Sequence, residues 1–589
     1  WSRGLGDVYK RQEWFDASRV FSILLKGILA ILGFDRLLIM KMKFRTAILI
    51  ICYVICGNSC NEPQIKPSND IPKVKIHTPI LGNEIVAEKI QSKLNELGLL
   101  LFSQNLPQLL ANGSGWKAIS EKLEGSIEDT RRLKVSIHTI KHEENKIQSQ
   151  ARIELKAQSI EKKFLGVIAY FDCYSQKLDN EEIKILSIGE PQNVVVNQTS
   201  QLWFSEQTSK VAENEPIFTH HLSKGLDHWL LRVESVHGID AFINNGLALG
   251  DFNGDGLDDL YVCQPGGLPN RLLLHAKDGG IFSSPVPGSD YLDHTSSALF
   301  VDIDNDQDQD LCLATPSGIV LLENDNGRRL LPKGVLQTDD VDCHSLTATD
   351  YDLDGNLDLY ITFALGSLSA TEESSFRFDD ARDGGTNQLF KGNGKWSFSE
   401  VTSLTGLSNQ NNRHSLAAAW HDYDHDGDPD LYIANDYGFN QLYRNDLKNG
   451  MRLFSEIALM AGAQDRGAGM SVSWGDYNRD GLSDIYVGNM YSNAGNRISR
   501  MSGYLDKENA SLKKIYRRFA KGNTLLVQDK DGKFNDYGPS VSMGRWAWSS
   551  VFADIDNDGW EDLVVANGYI TGQRAVSYTH LTLPTKRIV

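Results

Sequence analysis

The sequence predicts a mainly β protein whose larger part is a β-propeller, preceded by a small α+β domain. Three observations carry this. The frame Asp-x-[Asp/Asn]-x-Asp-Gly-x-x-Asp occurs six times between residues 251 and 562, with one glycine replaced. Each copy runs directly into an apolar strand pattern and follows alternating small and bulky residues. The unit recurs on a period of about fifty residues, the length of a propeller blade.

At 589 residues the chain is too long for one core, so two or more domains are expected. Hydrophobic residues at 41% and charged residues at 23% give globular rather than disordered composition. Lys+Arg number 59 against 77 Asp+Glu, a net charge of −18. That balance excludes a general nucleic-acid binder, which needs a basic face, and general adhesion to anionic lipid. Glycine at 51 against 16 prolines predicts many tight turns.

Both ends read as foreign. Back-translated as GAT GTG TAT AAG AGA CAG, Asp7–Gln12 has a reverse complement that in another frame encodes Val-Ser-Tyr-Thr-His, the sequence of Val576–His580. Residues 1–12 and 576–589 are therefore expected to be artefacts of one sequencing adapter, with the natural C-terminus missing. Residues 13–39 then read as upstream DNA, and translation starts at Met40 or Met42. Residues 40–60 combine a basic start with the apolar run Thr46–Cys56, too short to span a bilayer and suited to a signal peptide. A cysteine closing this segment before the polar tether 61–79 resembles a bacterial lipoprotein signal. Gly57 departs from the usual aliphatic residue, so a lipid anchor at Cys60 and plain secretion both stay open. Export is the expectation in either case.

Cys52 and Cys56 fall in the signal; Cys60, Cys173, Cys263, Cys312 and Cys343 show no CxxC pairing. No zinc or redox motif follows, and buried free thiols are favoured over an unassignable disulfide. Residues 80–200 form the α+β domain. Ile85, Val86, Ile90, Leu94 and Leu97 lie at helical spacing, and Trp116–Leu123 adds a short helix. Alternating runs at 133–140, 147–155, 164–174 and 182–188 read as antiparallel strands. His138, His142 and Asp172 stand alone in the pattern and read as structural, which leaves the domain a spacer or partner-binding role.

Residues 201–575 are assigned to the propeller. Its loops place Asp251, Asn253, Asp255 and Asp259 at positions one, three, five and nine of the first frame. The same positions hold Asp302, Asp304, Asp306, Asp310; Asp350, Asp352, Asp354, Asp358; and Asp422, Asp424, Asp426, Asp430. They hold Asp476, Asn478, Asp480, Asp484 in the fifth loop and Asp554, Asp556, Asp558, Asp562 in the sixth. A calcium ion takes six to eight oxygens at about 2.3–2.6 Å, and a curled loop aims positions one, three and five at one centre. Glycine at position six allows a left-handed turn, a carbonyl near position seven adds an oxygen, and position nine closes the cage. These loops open into strands (Leu260-Tyr-Val, Leu431-Tyr-Ile, Ile485-Tyr-Val), where an EF-hand loop opens into a helix. Six bound Ca²⁺ would offset twelve negative charges, so calcium is expected to be structural. Gln307 replaces the second loop's glycine and predicts a strained or weaker site, hence five or six ions.

A small residue sits five positions ahead of each loop (Gly246, Ser297, Ser345, Ala417, Ser471, Ser549), and a third strand signal follows in most repeats. This pattern resembles the FG-GAP (VCBS) repeats of the integrin-α-like propeller. Gly467–Tyr477, Trp546–Trp560 and Val564–Gly568 resemble more closely the ASPIC/UnbV, or cartilage-acidic-protein-like, family. That resemblance implies secretion, calcium and a binding role without a defined reaction, and a C-terminal domain that this sequence lacks. Seven blades are expected, the seventh from 200–245 or the missing end, with six as the alternative.

Two inserts break the period. Residues 364–386 are acidic and serine-rich. Residues 490–522 carry Arg497, Arg500, Lys507, Lys513, Lys514, Arg517, Arg518 and Lys521 on helical spacing, as a docking face for an acidic partner or as a solvated helix. Trp546, Trp548 and Trp560 with Arg545 read as packing between blades rather than a sugar platform. His414, His421 and His425 lack a spaced nucleophile or third ligand and read as structural. The leading function is therefore an exported calcium-binding propeller that binds protein or glycan. An accessory subunit positioning an enzyme or transporter is the alternative, and a polysaccharide-active enzyme is disfavoured for want of a convergent carboxylate pair outside the loops.

Overall fold

A computed structural model describes residues 78–98, 114–122, 127–143, 146–159, 162–178, 182–200, 246–283, 285–340, 343–364, 380–501 and 510–567, Tyr504, and short pieces between 204 and 229. Both adapter-like ends, the stretch 13–39, the signal with Cys60, and the tether up to residue 77 lie outside these residues. No described helix is long and apolar enough to cross a membrane.

The first region has helices α1 (Thr78–Leu97) and α2 (Ser114–Lys122) against one antiparallel sheet. Strands β1 (Ile127–Glu143), β2 (Lys146–Ser159), β3 (Phe164–Lys177) and β4 (Ile183–Ile188) pair in order, and β5 (Gln192–Thr199) pairs with β3. Period-two patterning along β3 sends alternate residues to the helix side, where Phe171 and Val167 are buried. Ile90, Leu94 and Trp116 cover that face, Trp116 meeting Phe171 edge-on at 5.3 Å. The indole N–H of Trp116 donates to Gly189 O at 2.9 Å. The strand β5 extends the expected four-stranded sheet and leaves Val194 and Val195 exposed.

From Gly246 the chain forms consecutive small sheets. The first holds β6 (Leu247–Gly250), β7 (Asp259–Val262), β8 (Arg271–His275) and β9 (Ile281–Ser283). The second holds β10 (Ser297–Val301), β11 (Asp310–Thr315), β12 (Gly318–Asn324) and β13 (Leu330–Leu336), and the third β14 (Cys343–Thr349), β15 (Asp358–Phe363), β16 (Gln388–Gly392) and β17 (Phe398–Glu400). The fourth holds β18 (His414–His421), β19 (Asp430–Asp436), β20 (Gln441–Lys448) and β21 (Met451–Glu456). The fifth holds β22 (Gly469–Gly475), β23 (Asp484–Asn489), β24 (Thr524–Gln528) and β25 (Phe534–Asp536); the sixth shows β26 (Ala547–Ala553) and β27 (Asp562–Asn567). Each is an antiparallel meander in chain order, the arrangement of propeller blades. Among the described residues of 201–245, where a further blade's strands are expected, only short helical turns occur.

The apolar core lies between successive sheets. Tyr261 and Leu272 of the first meet Leu311 and Leu313 of the second, and Tyr360 and Leu389 of the third meet Leu431 and Tyr443 of the fourth. A second strand is thus covered on both sides, so β11, β15 and β23 are buried throughout and read as unbroken apolar runs. The small residues ahead of the loops mark where neighbouring first strands touch. A Cβ on Gly246 would stand 2.8 Å from Ser297 Cα, and Ser471 Oγ donates to Ala547 O at 3.3 Å. Cys173, Cys263, Cys312 and Cys343 are buried free thiols.

Strand order puts all six aspartate loops at one end of the sheets and the basic insert, with residues 380–386, at the other. The basic insert contains α3 (Asn493–Arg500) and α4 (Ala510–Lys521). Several of its cations bond this chain. Arg497, 8% exposed, donates from two nitrogens to Glu84 of α1 and from a third to Ile137 O of β1. Arg518 pairs with buried Asp465, Lys521 with Asp536, while Arg517 Nε and Lys513 Nζ donate to the carbonyls of Ser499 and Met501. The insert therefore clasps the α+β domain through Arg497, while Arg500, Lys514 and Arg517 stay exposed. Desolvated cations need acceptors at hand, and this chain supplies them.

Candidate metal centres

The six loops share one hydrogen-bond scheme. The position-one carboxylate accepts from the N–H of position five through Oδ1, at 3.0–3.1 Å, and of position six through Oδ2, at 2.8–3.0 Å. Position five accepts from the N–H of position seven. These bonds curl nine residues tightly, and two left-handed residues complete the curl. Position six has φ of +82° to +90° at its five glycines and +79° at Gln307. Position four is left-handed as well, at Gly254, Asn305, Leu353, His425, Arg479 and Asn557. An L side chain there costs about 1–2 kcal/mol, so Gln307 carries the strain expected of it and Leu353 carries as much.

Position nine is different in kind. Asp259, Asp310, Asp358, Asp430 and Asp484 are at most 1% exposed. In each, Oδ2 accepts the N–H of position two, at 3.0–3.2 Å. Oδ1 accepts an N–H from the sheet's third strand, from His275, Asn324, Gly392, Asn445 and Gln528 respectively. The carboxylate thus ties loop to blade. Burial pushes Asp484 up to about 6, Asp310 and Asp358 to about 7 and Asp430 to about 8, against the pull of the two N–H bonds. Asp562 of the sixth sheet is exposed and accepts only from Ile555 among the described residues.

Carboxylate oxygens converge to within 4.8 Å in four loops: Asp302, Asp304 and Asp306; Asp350, Asp352 and Asp358; Asp422, Asp424 and Asp430; Asp554, Asp556 and Asp558. The first and fifth loops have Asn253 and Asn478 at position three and so one acid fewer, their amide oxygens accepting from Asp255 and Asp480 N–H. Asp304 Oδ1 and Asp352 Oδ1 are buried without a hydrogen-bond partner. Hard oxygen donors, several of them ionised and two unsatisfied, suit a divalent cation of the calcium class.

Sequence reasoning missed three features. Lys391, one residue before the end of β16, reaches into the third loop, pairing with Asp352 and standing 2.8 Å from Asp354. Trp396 N–H donates to Asp304 of the preceding loop at 2.8 Å. Asn324, Asn445 and Gln528, on their third strands, donate to the carbonyls of Phe252, Tyr351 and Tyr423 in the preceding loop. These loops are therefore stitched to the next blade. The recurring Asn or Gln on that strand is the signal that would have exposed the link.

Of the histidines, His414 Nε2 lies 3.0 Å from Asp383 at the end opposite the loops, and His421 stacks on Trp474 and bonds Ser483. His138 is 3.3 Å from Tyr491 OH in the clasp. Trp546 and Trp548 pack against Met470, Met490 and Phe519, as expected of inter-blade residues. Trp560 is 48% exposed, with Arg479 rather than Arg545 over its ring.

Four-stranded meanders in series, each closed by one aspartate loop, define a propeller-like repeat protein. The repeats themselves are FG-GAP-like: the family model for the FG-GAP-like repeat matches residues 251–313, 302–361, 422–487 and 515–565, segments that contain all six loops. No curated protein matches the sequence. Among solved structures, similarity is found to an Agrocybe aegerita lectin recognising non-reducing terminal N-acetylglucosamine, at 12% identity and TM-score 0.32, covering 75% of this chain and 87% of the lectin. The extracellular domain of a B. thetaiotaomicron one-component system is similar at 9% identity and TM-score 0.25, covering 74% of this chain and 57% of that one. Neither superposition is close enough to bear on fold or ligand.

Proposed function

We propose that the chain is an exported, calcium-binding propeller that presents a protein- or glycan-binding surface at the cell envelope or outside the cell. Cys60 serves as a lipid anchor or the protein is released. The observation that carries this is the convergence of loop carboxylates: positions one, three and five in two loops, and one, three and nine in two others, bring oxygens within 4.8 Å of one another, and most have no cation of this chain to neutralise them. Calcium would sit between those side chains, with position nine behind it as a ligand or as the staple that holds the loop. In the third loop the ion would displace Lys391 from Asp352 and Asp354. Within the FG-GAP-like repeats, Gly467–Tyr477 and Trp546–Trp560 support the narrower ASPIC/UnbV relation.

The direct test is calcium stoichiometry by equilibrium dialysis, together with ligand capture from an envelope extract in calcium and in chelator. Five or six ions per chain and chelator-sensitive capture are expected. A chain that binds no calcium above background sinks the reading.

A further inference from the structure

A cleft of about 540 Å³ opens where the fourth, fifth and sixth loops meet, within the size range of small-ligand sites. Trp474 and His421 form its floor, their rings stacked 5.2 Å apart at 24°. His421 Nε2 is hydrogen-bonded to Ser483 Oγ beside them. One wall is Glu561, whose Oε2 accepts the N–H of Asp476 at 2.8 Å while Oε1 has no partner among the described residues. Glycine at 475 allows that approach, since a Cβ there would meet Phe552 and Glu561 at 2.4 and 2.7 Å. Facing it is Arg479, whose guanidinium pairs with no carboxylate among the described residues and lies 5.0 Å over the Trp560 ring.

We propose that this cleft binds a neutral saccharide unit. The inference deepens the binding role proposed above and rests on it, because Asp476 is both position one of the fifth loop and part of the cleft wall. A guanidinium, a carboxylate and a hydroxyl–imidazole pair, all within reach of one small ligand, match the adjacent donor–acceptor hydroxyls of a sugar. The Trp474 indole already carries His421 and Tyr423 stacked on it, so the polar groups of the cleft, rather than a bare ring face, carry the recognition. Charge selects against an anionic ligand, which would meet Glu561 and Asp476. Calcium in the fifth loop would order Asp476 and with it the wall, so binding should depend on calcium.

The test titrates the full calcium-loaded chain with neutral mono- and disaccharides, glucuronate and an acidic hexapeptide, reading tryptophan fluorescence and saturation-transfer NMR. At least one neutral saccharide is expected to bind, and Arg479→Gly and Glu561→Gln should each weaken it tenfold or more. The glycine suits the left-handed backbone at 479 and the amide keeps an acceptor for Asp476, so both variants should fold. No neutral saccharide bound, binding indifferent to both substitutions, or binding of the peptide alone would each overturn the proposal. The calcium-induced thermal shift, read on the same samples, reports separately on the broader reading.

Discussion

The two ends of the blades handle acidic residues in opposite ways. At the end away from the loops, Arg413 pairs with Asp380, Arg518 with Asp465, Arg497 with Glu84, and His414 faces Asp383. There the chain brings its own cations, and the pairs hold inserts and domain together. At the loop end the carboxylates of positions one, three and five mostly face each other and solvent, with Lys391 the clear exception. Below them, position nine is buried and satisfied by backbone N–H groups. One residue type thus serves as ion-pair partner, as candidate metal donor and as backbone staple. The difference lies in what surrounds it.

Removing calcium should separate the ends most sharply. Each site stabilises the native state by about 2.7 kcal/mol at a hundredfold excess of ion over Kd. Chelator should therefore lower the unfolding temperature by a large margin, and calcium should restore it. No change would mean that the loop end tolerates its carboxylates unaided.

The staple and the metal donors come apart by substitution within one loop. Asp310→Ala leaves the buried N–H groups of Ile303 and Asn324 without acceptors and should cost about 3 kcal/mol even in chelator. Asp306→Asn, in the converging carboxylate set of the same loop, should leave metal-free stability within about 0.5 kcal/mol and cut the calcium-dependent gain. Urea unfolding with and without calcium reads both, and equal effects in chelator would erase the distinction.

The opposite end should answer to acid through a histidine. His344 Nδ1–H donates to Leu416 O, 2.9 Å away between the third and fourth sheets, and burial lowers the imidazole to about 4. The unfolded chain takes up that proton near pH 6.5, so stability is intact above that value and falls as pH drops toward 4. The loss reaches about 3 kcal/mol. His344→Asn keeps a donor without titrating and should flatten stability between pH 6.5 and 4; an unchanged profile would clear His344.

Arg497→Met should loosen the clasp by about 2 kcal/mol, because Glu84 is left half-desolvated without its partner. The expected sign is a separate early unfolding transition of the α+β domain, with calcium stoichiometry unchanged. The smallest effect belongs to Gln307→Gly, which relieves the left-handed side chain against a gain in unfolded entropy. A net stabilisation of about 0.5–1 kcal/mol is expected, measured in chelator.

Much of this was legible in the sequence because its causes are local. Positions one to nine bond one another within the loop, so spacing alone reveals them, as Asp302 and Gln307 show. The strands after each loop declared themselves because burial on both sides demands an unbroken apolar run. Position four was not legible: its left-handed backbone is imposed by the curl, and Leu353, His425 and Arg479 give no hint of it. Nor was the insert. Its helical spacing was visible, but whether its cations faced a partner or this chain depended on residues far away.

By itself the sequence determined the repeat, the aspartate loops, the blade strands and the helices over a sheet ahead of them. Each rests on contacts within a few residues or on simple periodicity. Only the tertiary structure decided the rest. It buried position nine in five sheets, drew loop carboxylates together in four loops, stitched loops to the next blade, and gathered Trp474, Arg479 and Glu561 around one cleft. It also brought Arg497 to Glu84, 413 residues away. Such pairings depend on how sheets and domains stack, and desolvation, which no local pattern records, sets what each charge can do.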